Sequence, residues 1–233
     1  MLHCKMDENF KIINMGKEID LLAKYPKPNR DVFKRLKYKS KEDVEIARKF
    51  GKDFFDGDRK NGYGGFSYNP KYWGPVVDDY KKYWNLNSKS SLLDVGCAKG
   101  FMLYDLYKLV PEMKLRGIDI SNYAISNAVP EMKKFVQTGD AKEIPFEDNC
   151  FDIVIAINTI HNLEKEDCAK ALREISRVSK KYSFVVVDAY RNEDEKKKMY
   201  AWNLTGKTIM SVEEWKIFFK ENNYEGDYFW FTP

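Results

Sequence analysis

The 233-residue chain has few of the residues that build disulfide or metal frameworks. It holds two histidines, His3 and His161, and four cysteines, Cys4, Cys97, Cys150 and Cys168, with no CxxC pair. That scatter signals neither a disulfide scaffold nor a structural zinc site, and no metal is expected. Long apolar runs are missing too. No stretch approaches the roughly 20 residues of a membrane helix, and "MLHCKMDENF" has neither the apolar core nor the cleavage site of a signal peptide. A cytoplasmic protein with no membrane partner is the expectation. The net charge is only +4, which argues against a dedicated nucleic-acid binder. One local exception runs from Lys24 to Lys41, with eight Lys or Arg residues against one acid, Asp31. It reads as a solvated basic face, as a site for a phosphate-bearing or carboxylate substrate, or as an RNA contact through Lys34, Arg35 and Lys37.

What is present is enough apolar material, 43%, for a substantial core. From Leu92 onward, short apolar runs alternate with helical segments. "SLLDVGC", "KLRGIDI", "KKFVQTGD", "FDIVIAIN" and "YSFVVVDAY" read as strands, several of them apolar on both faces. "FMLYDLYKLV", "NYAISNAVPEM" and "KEDCAKALREISRVSK" read as helices with one apolar face. Strand and helix in alternation predict an α/β fold, a doubly wound Rossmann-like sheet, mostly parallel, with helices on both faces. A charged helix, "RNEDEKKKMYAW", and a helix with a Ser211 and Glu214 capping box follow, before an aromatic strand, "GDYFWFTP". Residues 1–85 read as a helical N-terminal extension and lid, and residues 86–233 as the Rossmann-like domain.

Within the extension lies a run rich in glycine and aromatics, "FFDGDRKNGYGGFSYNPKYWG". Gly57 and Gly62 have phosphate-loop spacing, but Tyr63 and Gly64 stand where Lys and Ser or Thr must follow. The run also leaves a helix rather than a strand, since "KEDVEIARKFGKDFF" has helical spacing and a Ser40 cap with Asp43 three residues on. Phosphate cradling is therefore not expected there.

The segment "LLDVGCAKGF" has the required context. A strand ends at Val95, a turn follows through Gly96, Cys97, Ala98 and Lys99, and a helix begins near Gly100. Phe101 breaks the dinucleotide fingerprint. The spacing of Asp94, Gly96, Ala98 and Gly100 instead resembles the first motif of class I S-adenosylmethionine-dependent methyltransferases. The resemblance extends to "GIDIS", 19 residues after Gly100, and to "TGDAKEIPF" and "TIHNLE", each after a predicted strand. It implies S-adenosyl-L-methionine as cofactor, with S-adenosyl-L-homocysteine as product. Asp119 would receive the ribose hydroxyls, Ile120 would lie against adenine, and Asp140 with Ala141 would take the adenine amino group. Asp94, Gly96, Cys97, Ala98, Gly100 and Asn158 would complete the cofactor set. Taken singly, Asp94 and Asp119 also suit helix caps and Asp140 suits a turn. The family usually ends in a hairpin of two strands where only "GDYFWFTP" is visible, so the sheet is either one strand short or completed by the N-terminal extension.

On the acceptor side, His161 is the candidate general base, or else a histidine bonded within its loop. Asp188 and Tyr190, with Arg191 beside them, end the neighbouring strand and are candidates to orient the acceptor. The glycine-aromatic run reads as a lid whose Arg59, Tyr63, Tyr68 and Trp73 meet the substrate, or as packing between the helices and the sheet. The expected partner is a small polar metabolite, with an anionic group suiting Arg59 and Lys60; a homodimer stays open. RNA methylation and a non-catalytic cofactor-binding subunit are the competing readings.

Overall fold

The computed structural model describes residues 16–27, 33 and 37–232. Lys34 and Arg35 of the basic stretch, with His3 and Cys4, lie outside them. Seven strands form one sheet: β1 (Ser91–Val95), β2 (Lys114–Asp119), β3 (Val136–Thr138), β4 (Phe151–Ile157), β5 (Ser179–Tyr190), β6 (Met210–Ser211) and β7 (Asp227–Phe231). The order is β3-β2-β1-β4-β5, and every strand pairing is parallel. The outer edge of β5 is shared. Residues 184–188 pair with β7, and Ala189 and Tyr190 pair with β6.

Among the described residues no C-terminal hairpin closes this edge. The N-terminal extension does so: Ile19 donates to Tyr228 O at 3.0 Å and the Tyr228 amide donates to Lys17 O at 3.0 Å, adding residues 17–19 alongside β7 in parallel. Asp227 fastens the junction, taking the Lys17 amide at 2.8 Å and the Tyr83 hydroxyl at 2.9 Å.

The helices are α1 (Lys41–Arg48), α2 (Lys52–Phe55), α3 (Pro70–Tyr83), α4 (Phe101–Leu109), α5 (Asn122–Ser126), α6 (Lys165–Val178), α7 (Glu193–Trp202) and α8 (Val212–Glu221). The capping boxes read at Ser40 and Ser211 are both formed. The helix predicted across "NYAISNAVPEM" is cut to α5, because Pro130 holds Val129 extended and only a short 3-10 turn, Pro130–Met132, resumes.

Side-chain alternation sorts the sheet into two buried faces. Leu93, Val95, Val154 and Val187 pack under α6 and α8, against Ala171, Ile175, Trp215 and Phe219. Leu92, Ile155 and Val186 pack under α3 and α4, against Val76, Val77, Tyr80, Leu103 and Leu106, with Leu21 in the same cluster. α3 therefore covers the sheet, and the boundary expected at residue 85 falls inside a continuous core. By the same period of two, Asp94 follows Leu92, Asp119 follows Leu115 and Gly117, and Asp188 follows Phe184 and Val186. All three carboxylates face the α3 side at the C-terminal ends of their strands.

Trp215 locks the other side: it is fully buried, and its indole N–H donates to Asp188 O at 3.0 Å. Trp215→Phe is expected to cost about 2–3 kcal/mol, through a cavity and a stranded buried carbonyl, measurable as a lower urea midpoint at unchanged slope.

Candidate active site

The turn after β1 is built from residues that tolerate left-handed backbone. Gly96 has φ +86°, Ala98 +48° and Gly100 +74°. A methyl group on Gly96 would stand 2.1 Å from Thr159 Oγ1, so only glycine fits between the ends of β1 and β4. The turn uses its own amides: Gly96 and Cys97 both donate to Ile118 O, at 2.8 and 3.0 Å, and Gly100 donates to Cys97 O at 2.8 Å. What it offers a ligand is close approach to the first turn of α4 and the partial positive charge there.

Asp119 joins this turn to the next. Its Oδ2 accepts the Ala98 amide at 2.7 Å and its Oδ1 the Ser121 amide at 2.8 Å. Burial raises its pKa, against those two bonds. Asp94, 5% exposed, is raised to about 8 by burial first and by the like charge of Asp119 second. Two carboxylates thus lie buried within reach of each other's charge, where a neighbouring cation would be favoured. Beside them Ile120 is 56% exposed, an apolar side chain standing free at the end of β2.

At the end of β4, Asn158 adopts φ +52° and its Oδ1 is buried without a hydrogen-bond partner among the described residues. Asp140, after β3, accepts the Lys142 amide at 2.9 Å and lies 3.6 Å from Lys142 Nζ, with partly buried Ala141 next to it.

The acceptor-side residues do not converge as expected. His161 is 2% exposed and its ring lies against Asp188. Nδ1 accepts the Asp188 amide at 3.1 Å, so the ring proton sits on Nε2, 3.3 Å from Asp188 Oδ2. Burial lowers the His161 pKa, opposed by Asp188, and keeps the ring neutral. With no free lone pair, His161 is not placed to take a proton from an acceptor. Asp188 Oδ2 meets both His161 Nε2 and the Asn203 side-chain amide.

Tyr190 turns to Glu214, at 3.5 Å, beneath Lys196, and Arg191 is exposed beside Glu195. Tyr68 also departs from the expectation: its hydroxyl donates to Asp105 at 2.6 Å and accepts from Lys108, on the flank of α4. Trp73 lies within α3, edge-on to Tyr25. Tyr63 stays 47% exposed, packed on Phe66 and Phe55. Arg59 donates to Gly62 O and lies over the Trp202 ring at 5.8 Å.

The glycines of this loop are explained by its fold. A methyl group on Gly62 would meet Phe54 O at 2.1 Å, while Gly64 and Gly65 have φ of +70° and +102°. Residues 39–66 cross the C-terminal ends of the strands as a roof. On one side Ser121 Oγ donates to Phe50 O, and Lys99 Nζ donates to Asp56 Oδ2 at 2.6 Å and Phe66 O at 2.8 Å. On the other, Lys39 donates to Tyr200 O at 2.7 Å and Arg48 to Gly206 O at 3.0 Å. Lys99, only 7% exposed, was not singled out from the sequence, although a long cation next to Gly100 in a glycine turn is the signal that could have found it.

The profile of the family described as Methyltransferase domain matches residues 86–224. The chain belongs to this family. It is similar over 135 residues, at 33% identity, to the tRNA (carboxymethyluridine(34)-5-O)-methyltransferase of Arabidopsis thaliana, across 56% of this chain and 31% of that protein. Demethylmenaquinone methyltransferase of Staphylococcus aureus is 39% identical over 100 residues, 40% of each chain. Sterol 24-C-methyltransferase ERG6B of Gibberella zeae is 30% identical over 115 residues, 44% of this chain and 30% of that one. The chain spans well under half of these relatives' lengths, and their substrates differ widely. Among solved structures, the YcgJ protein of Bacillus subtilis shares the fold at a TM-score of 0.50 and 22% identity, covering 63% of this chain and 66% of that one.

The residues at these strand ends fit S-adenosylmethionine. Asp119 and Ile120 would hold the adenosine, Asp94 the cationic end, and the Gly96 turn supplies the close approach. Because the Asp94 pKa of about 8 lies above its ordinary 3.8, its contribution to stability is present at low pH and is lost as pH rises from about 4 through about 8. Asp94→Asn is expected to melt higher than the parent at pH 9, yet to bind S-adenosylhomocysteine at least about tenfold more weakly, a cost of about 1.4 kcal/mol. The parent should release a proton on binding at pH 7, read by calorimetry in two buffers of different ionisation heat. Ala98→Gly relieves a left-handed alanine and is expected to gain roughly 0.5–1 kcal/mol, a melting rise of about 2–4 °C.

Proposed function

We propose that this methyltransferase transfers the methyl group to oxygen or nitrogen of a small polar metabolite, in the cytoplasm. When bound, S-adenosylmethionine supplies a methyl group on a sulfonium. Held by Asp119, Ile120 and the Gly96 turn, it would present that methyl group to the lone pair of an acceptor. Acceleration of an in-line displacement comes chiefly from alignment and exclusion of water. The roof supports this reading: residues 39–66 reach from the β1 and β2 ends to residues 200–206 beyond β5, covering the strand ends with Phe54, Phe66 and Trp202 nearby.

The observation that carries the choice of acceptor is the commitment of His161 to Asp188. With no free histidine base at the β4 end, an acceptor whose lone pair is already available is favoured: a neutral amine or a carboxylate, rather than an alcohol. Within the basic stretch Lys24 is paired with Asp79 at 2.6 Å and Lys39 is spent on backbone carbonyls, while Lys34 and Arg35 lie outside the described residues.

Screening acceptor pools with labelled S-adenosylmethionine is expected to give transfer to small amines or carboxylic acids, and none to bulk tRNA. The kcat profile should show no inflection from His161 near the ordinary histidine value of about 6.5. Transfer to tRNA, or a loss of kcat in His161→Gln confined to one limb of the profile, would defeat this reading.

A further inference from the structure

Asp56 lies at the start of the glycine-aromatic loop, far in sequence from every cofactor motif, yet its carboxylate is where the roof meets both cofactor turns. Oδ2 accepts Lys99 Nζ at 2.6 Å and the Tyr123 hydroxyl at 2.7 Å, and Oδ1 accepts the Phe66 amide at 2.9 Å. Lys99 belongs to the Gly96–Gly100 turn. Tyr123 sits in the first turn of α5, directly after the Asp119 loop. Phe66 closes the loop that Asp56 opens, and its carbonyl takes a second bond from Lys99, at 2.8 Å.

The buried end of this pair is well satisfied. The Lys99 side chain is 9% exposed and that of Asp56 27%. Burial pushes the Asp56 carboxyl up, and the bonds from Lys99, the Phe66 amide and Tyr123, with the Lys99 charge, outweigh it and hold it below the usual carboxylate range. Lys99 lies 5.9 Å from both the Phe66 and the Tyr123 ring centres, so aromatic faces enclose the cation. Phe66 in turn stacks on Phe101, the first residue of α4, at 4.7 Å. Ser121 extends the same seam by donating to Phe50 O.

We propose that Asp56 and Lys99 are positioning residues through which the N-terminal roof sets the geometry of the two cofactor turns, so that cofactor affinity depends on a carboxylate that does not touch the cofactor. The proposal rests on the cofactor site described above and adds a coupling to it. Lys99 is the cation of the Gly96–Gly100 turn, and its charge is spent on the roof instead of on Asp94 or Asp119. The roof is consequently not a flap on a free hinge. Ordering the Gly96 turn orders residues 56–66, and loosening those residues loosens the turn.

The test compares S-adenosylhomocysteine binding and amide exchange of residues 57–65 in the parent, Asp56→Asn, Lys99→Met, Lys99→Arg and Tyr123→Phe. Asp56→Asn and Lys99→Met are expected to weaken binding about tenfold, and Tyr123→Phe about two- to threefold, with Lys99→Arg recovering most of the loss. The double variant Asp56→Asn with Lys99→Met should bind no more weakly than the worse single variant. In the parent, S-adenosylhomocysteine should slow exchange across residues 57–65; in Asp56→Asn that slowing should vanish. A merely structural role would lower the melting temperature without uncoupling ligand from exchange. Tyr123→Phe removes a single hydroxyl at a partly exposed position, so it reports on the coupling even if the charge variants fold poorly. Binding within twofold of the parent in Asp56→Asn and Tyr123→Phe, or ligand slowing preserved in both, would overturn the proposal. Failure of the parent itself to bind S-adenosylhomocysteine would overturn the cofactor assignment, and this coupling with it.

Discussion

The site depends on how one carboxylate is held. Asp119 ends β2 with one oxygen on the Ala98 amide and the other on the Ser121 amide, so it closes the turn after β1 and starts α5 at once. Hydrogen bonds to a charged group contribute about 1.5–3 kcal/mol each, which offsets part of the cost of burying the charge. Asp94, four residues before Ala98, has no such support: burial and the Asp119 charge both act to keep it protonated. The fold therefore carries an unfavourable pair of acids at the head of the sheet. A group bearing positive charge would relieve such a pair, and the sulfonium and ammonium of the family's cofactor are such groups. Local instability and binding selectivity here have one source.

The same logic runs the other way at Asp188. It lies near the end of β5 and shares the Asp119 face of the sheet, yet its Oδ2 meets both His161 and Asn203 and its carbonyl takes the Trp215 indole. Residues 203–208 are gathered around this pair, since Lys207 and Thr208 both donate to His161 O at 3.0 Å. Lys39 reaches the Asn203 carbonyl from the roof at 2.5 Å. The acid that the sequence offers to orient an acceptor, and the histidine that it reads either as a base or as bonded within its loop, thus meet at the far end of the cover.

The sheet and its cofactor turns were legible because their signals are local. Strand periodicity, a glycine turn between strand and helix, and an acid closing the next strand are each set by a few adjacent residues. The roof was not, because its connections are long-range: Asp56 with Lys99, Lys39 with Tyr200, Arg48 with Gly206. Nothing in the sequence near Tyr68 announces Asp105 and Lys108, which take its hydroxyl instead of a substrate. The last strand was read correctly as a strand, but its partner on the open side, residues 17–19, lies at the opposite end of the sequence.

Two glycine-rich loops in this chain carry opposite meanings, and glycine content does not distinguish them. In the Gly96 turn, a strand delivers the backbone to the sheet's edge and the absent side chain lets Thr159 and a ligand approach. In residues 57–65, a short helix delivers it, and the absent side chains let the chain fold onto itself, Gly62 against Phe54 O and Gly64 against Arg59. What precedes the glycines decides which outcome follows, because a parallel strand ends at an open row of loops whereas a helix end is covered by its own continuation. Lys99 and Asp56 join the two loops by one ion pair. That pair makes the self-packed loop part of the binding site without its touching a ligand.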